Sequence, residues 1–114
     1  VLGTHVLFPA CEYVCIATRQ VCELGSGLGV AGIAAWVLGC GEVLLTDRDE
    51  AVAELLRINA WMAYIGSGKP EAESWDGSVD WCPLKVEVFG YEDDASVLQG
   101  PFDLVLCADL IYMS

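Results

Sequence analysis

A glycine-rich stretch near the start of the chain constrains the fold more than any other feature. An apolar run ends at Glu23, passes through glycines at 25, 27 and 29, and opens into a segment of mostly small apolar residues over 30–38. Alternating glycines allow positive φ and leave room for a ligand to lie against the main chain. The free N–H groups of a first helical turn then face that ligand. The stretch predicts a strand, a tight turn and a helix that open a parallel α/β sheet with a nucleotide-type site.

The spacing of the glycines bears on which ligand this site takes. A G-x-G-x-x-G pattern from Gly27 to Gly32 formally satisfies the dinucleotide fingerprint, but one such match is weak. The tight-turn glycine of the fingerprint should directly follow the strand, so Gly25 is its first glycine. Val30 then stands at the third position, where the helix packs closely on the strand, and its side chain is too large for that place. Glu23 would also place a charge where a pyrophosphate approaches, whereas it can accept hydrogen bonds from a ligand's hydroxyl or ammonium groups. The pattern therefore disfavours a dinucleotide, and a purely structural turn is the alternative.

The apolar periodicity of the remaining chain predicts alternating strands and helices. We expect strands over 20–24, 42–46, 84–89 and 102–108, helices over 10–17, 28–38 and 50–64, and a loop over 66–83. Trp75 and Trp81 either pack this polar loop down or form a lid. Right-handed crossovers imply a parallel sheet in the order 3-2-1-4. Strands one and four are then neighbours, and their carboxyl ends, at Glu23 and Asp109, flank the point where ligands bind in open α/β sheets.

Acidic residues follow two of the predicted strands. Asp47 ends the second strand, where an acid reaches a ribose hydroxyl in this topology. Asp47 or Asp49 could instead cap the next helix, and both roles are compatible if Asp49 caps and Asp47 binds. After the third strand, Tyr91 is followed by acids at 92–94. An acid there either reaches an adenine amino group or is solvated charge.

Charge and composition limit the partners. The net charge of −12 argues against a nucleic acid, because phosphate binding needs Lys and Arg; it suits a basic partner, or merely keeps the protein soluble. Although 55% of the residues are hydrophobic, no apolar run reaches the roughly 18 to 20 residues that a membrane span needs.

The start shows no secretory signal, so we expect reduced cysteines and a cytoplasmic or nuclear protein. A zinc site from His5, Cys11 and Cys15 lacks the standard spacing, and we expect no metal.

Taken in order, these motifs resemble the lysine-targeting branch of the class I (seven-strand) S-adenosylmethionine-dependent methyltransferases, the family 16 type. The resemblance covers most of residues 3–112 and includes a DxxY motif after strand four. The matching segments are Phe8-Pro9-Ala10, the glycine stretch 22–29, Leu44-Leu45-Thr46-Asp47, Leu55-Leu56-Arg57-Ile58-Asn59 and the strand-four segment 102–112. The chain departs from the family at Phe8, where Trp is usual, and at Gly90-Tyr91, where the family has Asp-Trp.

The resemblance implies a fold, a cofactor and a reaction. The fold is a Rossmann-like α/β sheet in the order 3-2-1-4 with flanking helices, which we expect to be the N-terminal half of one domain, 1–114, truncated after strand four. The implied cofactor is S-adenosylmethionine, and the implied substrate is a lysine ε-amine of a protein. From the net charge and the lack of a long apolar run, we expect that protein to be basic, with no nucleic acid or membrane involved. The implied catalytic residues are Asp109, which orients the ammonium, and Tyr112. The implied cofactor-binding residues are Glu23, Gly25, Ser26, Gly27, Gly29, Asp47, Arg48, Tyr91 and Ala108.

Other readings of the same residues stay open. The chain could belong to a methyltransferase for a small-molecule amine or for another protein side chain. It could also be a cofactor-binding or interaction module without catalytic activity.

Overall fold

The computed structural model describes residues 20–69, 72, 76 and 82–107. In this part of the chain four parallel strands form one sheet in the order β3-β2-β1-β4, as predicted. The strands are β1 (Gln20–Glu23), β2 (Glu42–Asp47), β3 (Leu84–Val88) and β4 (Leu104–Leu106). Helix α1 (Val30–Val37) joins β1 to β2, helix α2 (Glu50–Ile65) joins β2 to β3, and a single 3-10 turn (Ala95–Val97) precedes β4.

Several predictions from the sequence lie outside the described residues. They are the helix over 10–17 with Phe8-Pro9-Ala10, the zinc alternative at His5, Cys11 and Cys15, the loop residues Trp75 and Trp81, and the strand-four motif residues Ala108, Asp109 and Tyr112.

Both helices pack on the same face of the sheet. The two crossovers step in one direction, from β1 to β2 to β3, and right-handed connections then place both helices on one side. Buried side chains of the strands, such as Val21, Val43 and Leu45, form one core with Trp36 of α1 and Leu56 of α2. This packing fixes the start of each helix next to the carboxyl end of the preceding strand.

Helix α1 approaches the sheet closely at Gly32. A Cβ at this position would overlap the side chain of Leu45 and would lie 3.3 Å from Val43 Cγ1 and 2.8 Å from Glu23 Oε1. Only glycine leaves room for the strands here. Val30, in contrast, is 76% exposed on the outer side of the first helical turn. The inference that the close-packing position falls at Val30 is therefore wrong. Gly32 fills that role, so the size of Val30 is no evidence against a dinucleotide.

An aromatic pair closes the core at the amino ends of the strands. The rings of Trp36 and Tyr64 meet edge to face with their centroids 5.5 Å apart. The Lys69 ammonium lies 4.1 Å from the Trp36 ring centroid and donates a hydrogen bond of 3.1 Å to the Trp36 carbonyl oxygen. These contacts join the last turns of α1 and α2, at the end of the sheet opposite the glycine-rich loop.

None of the helices in the described part of the chain is both long enough and apolar enough to span a bilayer.

Candidate ligand site at the carboxyl end of the sheet

The loop between β1 and α1 depends on glycine at alternating positions. Gly25, Gly27 and Gly29 have φ of 63°, 57° and 86°, in the left-handed region that side chains with a Cβ rarely adopt. At Gly27 a Cβ would meet no atom within 4 Å from any described residue beyond its two chain neighbours. Backbone conformation, rather than crowding by protein atoms, therefore requires glycine at 27, and this part of the loop is open to a ligand.

Glu23 caps the helix that follows the loop. Its side chain is only 2% exposed, and Oε1 accepts a hydrogen bond of 3.1 Å from the backbone N–H of Gly32. Gly29, the N-cap residue of α1, has no side chain to satisfy the first N–H groups of the helix. The Glu23 carboxylate satisfies one of these groups, the Gly32 N–H, and its charge is favourable at the positive end of the helix dipole.

Burial raises the pKa of the Glu23 carboxyl above its ordinary value of 4.5, although hydrogen bonds from Ser26 and Gly32 oppose this shift. The sequence predicted that Glu23 would accept hydrogen bonds from a ligand; in the structure one of its oxygens is already bonded within the protein. A carboxylate at the helix N-terminus also occupies the place where a phosphate would be stabilised, so a phosphate-bearing ligand is disfavoured there. The arrangement suits a ligand without phosphates.

Ser26 and Thr46 tie the glycine loop to the end of β2. The Ser26 N–H donates to the Thr46 carbonyl oxygen at 2.6 Å, and the Thr46 N–H donates to Ser26 Oγ at 3.1 Å. Both hydroxyls donate to the carbonyl oxygen of Glu23, Thr46 Oγ1 at 2.8 Å and Ser26 Oγ at 3.3 Å. The predicted ligand residue Ser26 thus has its N–H and its hydroxyl bonded within the protein.

Asp47 and Asp49 divide two roles between them, as the sequence allowed. Asp49 is the N-cap of α2, and its side chain accepts hydrogen bonds from the N–H groups of Ala51 at 2.8 Å and Val52 at 3.3 Å. Asp47 is half-buried; its Oδ2 accepts from the Gly27 N–H at 3.1 Å, and its Oδ1 accepts from the Asp49 N–H at 3.0 Å. Each oxygen retains a lone pair, so Asp47 can accept further hydrogen bonds from ligand hydroxyls.

The segment after β3 supplies an exposed aromatic ring and a tight turn. Tyr91 is 65% exposed. The Gly90 N–H donates to Asp93 Oδ2 at 2.7 Å, and Asp94 Oδ1 accepts from the Ser96 N–H at 2.9 Å at the start of the 3-10 turn. Asp93 and Asp94, two of the acids expected either to be solvated or to contact adenine, thus hold local backbone turns. The hydrogen bonds from Ser96 lower the pKa of Asp94.

The structure brings the ends of three strands together. Gly27 of the loop contacts Asp47 at the end of β2, and the Phe89 N–H after β3 donates to the Asp47 carbonyl oxygen at 2.9 Å. The site lies beside the boundary between β1 and β4, where the strand order reverses. Arg48 is exposed beside Asp47, and Ala108 lies outside the described residues. Within the described part of the chain no group of three His, Cys, Asp or Glu could hold a metal ion.

Sequence reasoning missed the roles of Thr46 and Gly32. The available signal for Thr46 was a hydroxyl residue directly after the apolar run 43–45 of β2. For Gly32 the signal was a glycine in the interior of the predicted helix 28–38, which indicates a close packing contact.

Comparison with known proteins identifies the family to which this geometry belongs. The lysine methyltransferase family profile matches residues 11–114. Protein N-lysine methyltransferase METTL21A of Danio rerio is 33% identical over 100 residues, with 83% of this chain and 38% of that protein covered. EEF1A lysine methyltransferase 3 of Mus musculus is 31% identical over 96 residues, which cover 83% of this chain and 34% of that protein. The chain therefore spans little more than a third of the length of these relatives.

Among solved structures, PH1948 from Pyrococcus horikoshii, described as an RNA methyltransferase, superposes with a TM-score of 0.57 at 24% identity, over 93% of this chain and 42% of that one. At this identity the likeness shows the shared fold alone. Because the profile spans nearly the whole chain, and because the glycine loop and Asp47 meet at one end of the parallel sheet, the chain belongs to the lysine methyltransferase family.

Proposed function

We propose that this chain forms the cofactor-binding part of an S-adenosylmethionine-dependent methyltransferase that acts on protein lysine. The observation that carries the proposal is the juxtaposition of Gly27 and Asp47, whose N–H and carboxylate oxygen are 3.1 Å apart at the carboxyl end of the sheet. An open glycine backbone next to a carboxylate with free lone pairs suits a ligand with a ribose and no phosphate. The family supports the same cofactor.

Three groups of the chain have distinct roles in this proposal. Gly27 lets the ligand lie against the main chain, because among the described residues only its two chain neighbours come within 4 Å of the place where its Cβ would be. Asp47 accepts hydrogen bonds from the ribose hydroxyls. Tyr91, which is exposed two residues after the Phe89 contact to Asp47, offers a ring face to the adenine.

Transfer needs a neutral, well-oriented amine. When bound, S-adenosylmethionine supplies a methyl group on a sulfonium. A free lysine has a pKa of about 10.4, so its amine is mostly protonated at neutral pH. From the resemblance of the strand-four motif, we propose that Asp109 accepts a hydrogen bond from the incoming ammonium and orients it, and that Tyr112 contributes its ring face and hydroxyl. The ammonium then loses one proton to water, and the freed lone pair of the nitrogen can attack the methyl while the sulfonium leaves as a neutral thioether.

We further propose that the lysine lies in a basic protein segment. Acidic side chains follow the carboxyl ends of β2 and β3, and the chain has a net charge of −12. Such a surface attracts a basic segment and repels nucleic acid. The described acids at this end of the sheet are Asp47, Asp49, Glu50, Glu92, Asp93 and Asp94.

Calorimetric titration of S-adenosylmethionine into the full chain tests the cofactor. We expect saturable binding that Asp47→Ala weakens about 100-fold, because two hydrogen bonds to a charged acceptor, worth about 1.5 kcal/mol each, are lost. The matched control is Asp49→Ala, which removes a carboxylate two residues away that caps α2. Binding of NADH, or equal losses in the two variants, would contradict the assignment.

The reaction is tested separately by transfer of a radiolabelled methyl group to lysine-rich peptides and to small amines. We expect label on the lysine ε-nitrogen of peptides, and no label with Asp109→Ala even when cofactor affinity is retained. Labelled small amines without labelled peptides would favour the small-molecule alternative. Turnover in Asp109→Ala would refute the catalytic assignment.

A further inference from the structure

We propose that Ser26 and Thr46 are positioning residues that set cofactor affinity without touching the cofactor. Four hydrogen bonds between Ser26, Thr46 and the Glu23 carbonyl oxygen join the glycine loop to the end of β2; we call this group of bonds the Ser26–Thr46 clasp. The inference rests on the proposed function, because it names what holds the two cofactor-binding groups, Gly27 and Asp47, at their separation.

The clasp extends the pairing of β1 with β2 beyond the end of β1. The last paired residues of the two strands are Glu23 and Leu45. The chain then turns through Gly25, which has a φ of 63°. Ser26 nevertheless supplies both a donor and an acceptor to Thr46: its N–H bonds the Thr46 carbonyl oxygen and its Oγ accepts from the Thr46 N–H. A side-chain oxygen thus replaces the carbonyl that a continued strand would have offered.

Neither residue is placed to contact a ligand. Thr46 is 0% exposed and Ser26 is 9% exposed. Their hydroxyls donate to the carbonyl oxygen of Glu23, the last residue of β1, so they point into the protein. Bonds made inside the protein can affect a ligand only through the groups they position.

The groups beside the clasp are those proposed to bind the cofactor. Gly27 follows Ser26 and Asp47 follows Thr46, and the next bond in line is that from the Gly27 N–H to Asp47 Oδ2 at 3.1 Å. Opening the clasp lets Gly27 leave Asp47, and the cofactor must then restore their arrangement when it binds. Apparent affinity falls in proportion to the fraction of molecules in which the arrangement is already present.

Cofactor titration of variants in the full chain tests this inference. Ser26→Ala removes two of the four bonds and leaves the buried Thr46 N–H without its acceptor. We expect the dissociation constant for S-adenosylmethionine to rise about 10-fold, the effect of roughly one buried hydrogen bond. Thr46→Val, which removes one bond, should weaken binding less, whereas Thr46→Ser keeps the hydroxyl and should bind nearly as the parent does.

The control separates positioning from general stability. Val43→Ala creates a cavity near the start of β2, where Val43 is 1% exposed, without removing any bond of the clasp. We expect it to lower the melting temperature at least as much as Ser26→Ala and to leave cofactor affinity unchanged. Equal losses of affinity in the two variants, or an affinity of Ser26→Ala within twofold of the parent, would overturn the inference.

Amide hydrogen exchange in the ligand-free protein gives a second readout that needs no cofactor. We expect the Gly27 N–H to be protected in the parent and to exchange faster in Ser26→Ala and Thr46→Val, while the Val21 and Val43 amides remain protected. A Gly27 N–H that exchanges at an unprotected rate in the parent would refute the clasp. A parent that shows this protection but binds no S-adenosylmethionine would refute the proposed function and leave the clasp as an internal link of the loop.

Discussion

Replacing Gly32 with alanine tests how α1, the sheet and the Glu23 cap depend on one another. The added methyl would overlap the Leu45 side chain, lie 2.8 Å from Glu23 Oε1 and lie 3.3 Å from Val43 Cγ1. Leu45 and Val43 are buried in the core. Either α1 moves away from the sheet or these side chains leave their preferred rotamers, and both responses stretch the bond from the Gly32 N–H to Glu23.

The expected loss of stability follows from three terms. Overpacking a buried site costs about 1 to 3 kcal/mol. Losing a hydrogen bond to a buried charged group costs about 1.5 to 3 kcal/mol. The better helix propensity of Ala returns about 1 kcal/mol. We therefore expect Gly32→Ala to lower the free energy of unfolding by about 1.5 to 5 kcal/mol.

Urea denaturation followed by far-ultraviolet circular dichroism measures this change, with a lower midpoint and an unaltered slope expected. Val30→Ala is the matched control, because it places the same side chain in the same turn on the exposed face of α1, where Val30 is 76% exposed. We expect that control to change stability by less than about 0.5 kcal/mol. A Gly32→Ala protein as stable as the control would show that α1 does not approach the sheet as closely as described.

Three further predictions concern the charged and thiol groups. Burial raises the pKa of Glu23 above 4.5, so the folded protein holds this proton more tightly than the unfolded chain, and the contribution of Glu23 to stability falls as pH rises from 4.5 through the raised pKa. Melting temperatures measured against pH should therefore show the stability of Glu23→Gln rising relative to that of the parent across that window, with a constant difference at higher pH. A parent that becomes less stable relative to this variant on acidification would contradict the sign. Lys69→Met should cost about 1 kcal/mol in thermal unfolding through loss of the contact 4.1 Å from the Trp36 ring centroid, and an unchanged melting temperature would refute it. Burial, with Cys107 and Glu23 adding to it, raises the pKa of Cys22 to about 11, so iodoacetamide at pH 8 should label the exposed Cys107 and spare Cys22 in the native protein by mass spectrometry; rapid labelling of Cys22 would show that β1 is accessible.

The order of the sheet and the extent of most elements could be predicted from the sequence because the apolar periods are long and regular. β2 and α2 follow the predicted ranges to within one residue at each end. β4, expected over 102–108, is shorter in the structure, where it spans Leu104–Leu106. Just before it, Asp103 bonds the first residue of β1: its N–H donates to the Gln20 carbonyl oxygen, and its Oδ2 accepts from the Gln20 N–H.

The sequence predicted which strand ends meet at the site, but it did not predict the direction of each side chain. The role of Asp49 as a helix cap is confirmed, because capping depends on residues adjacent in sequence. Ser26 could not be placed, because its direction depends on Thr46, twenty residues away in the chain. The requirement for glycine at position 32 depends likewise on where α1 crosses Leu45. Contacts between distant segments decide such details, and no local pattern encodes them.

The separation of the aromatic pair from the glycine loop has a consequence for how this protein can evolve. Trp36 and Tyr64, with Lys69 beside them, hold the two helices together at the amino ends of the strands, whereas Gly27 and Asp47 meet at the other end of the same sheet. Substitutions in the loops at one end leave the anchoring contacts at the other end intact. Mutations can thus accumulate in the loops at one end while the anchoring contacts at the other end stay under separate selection.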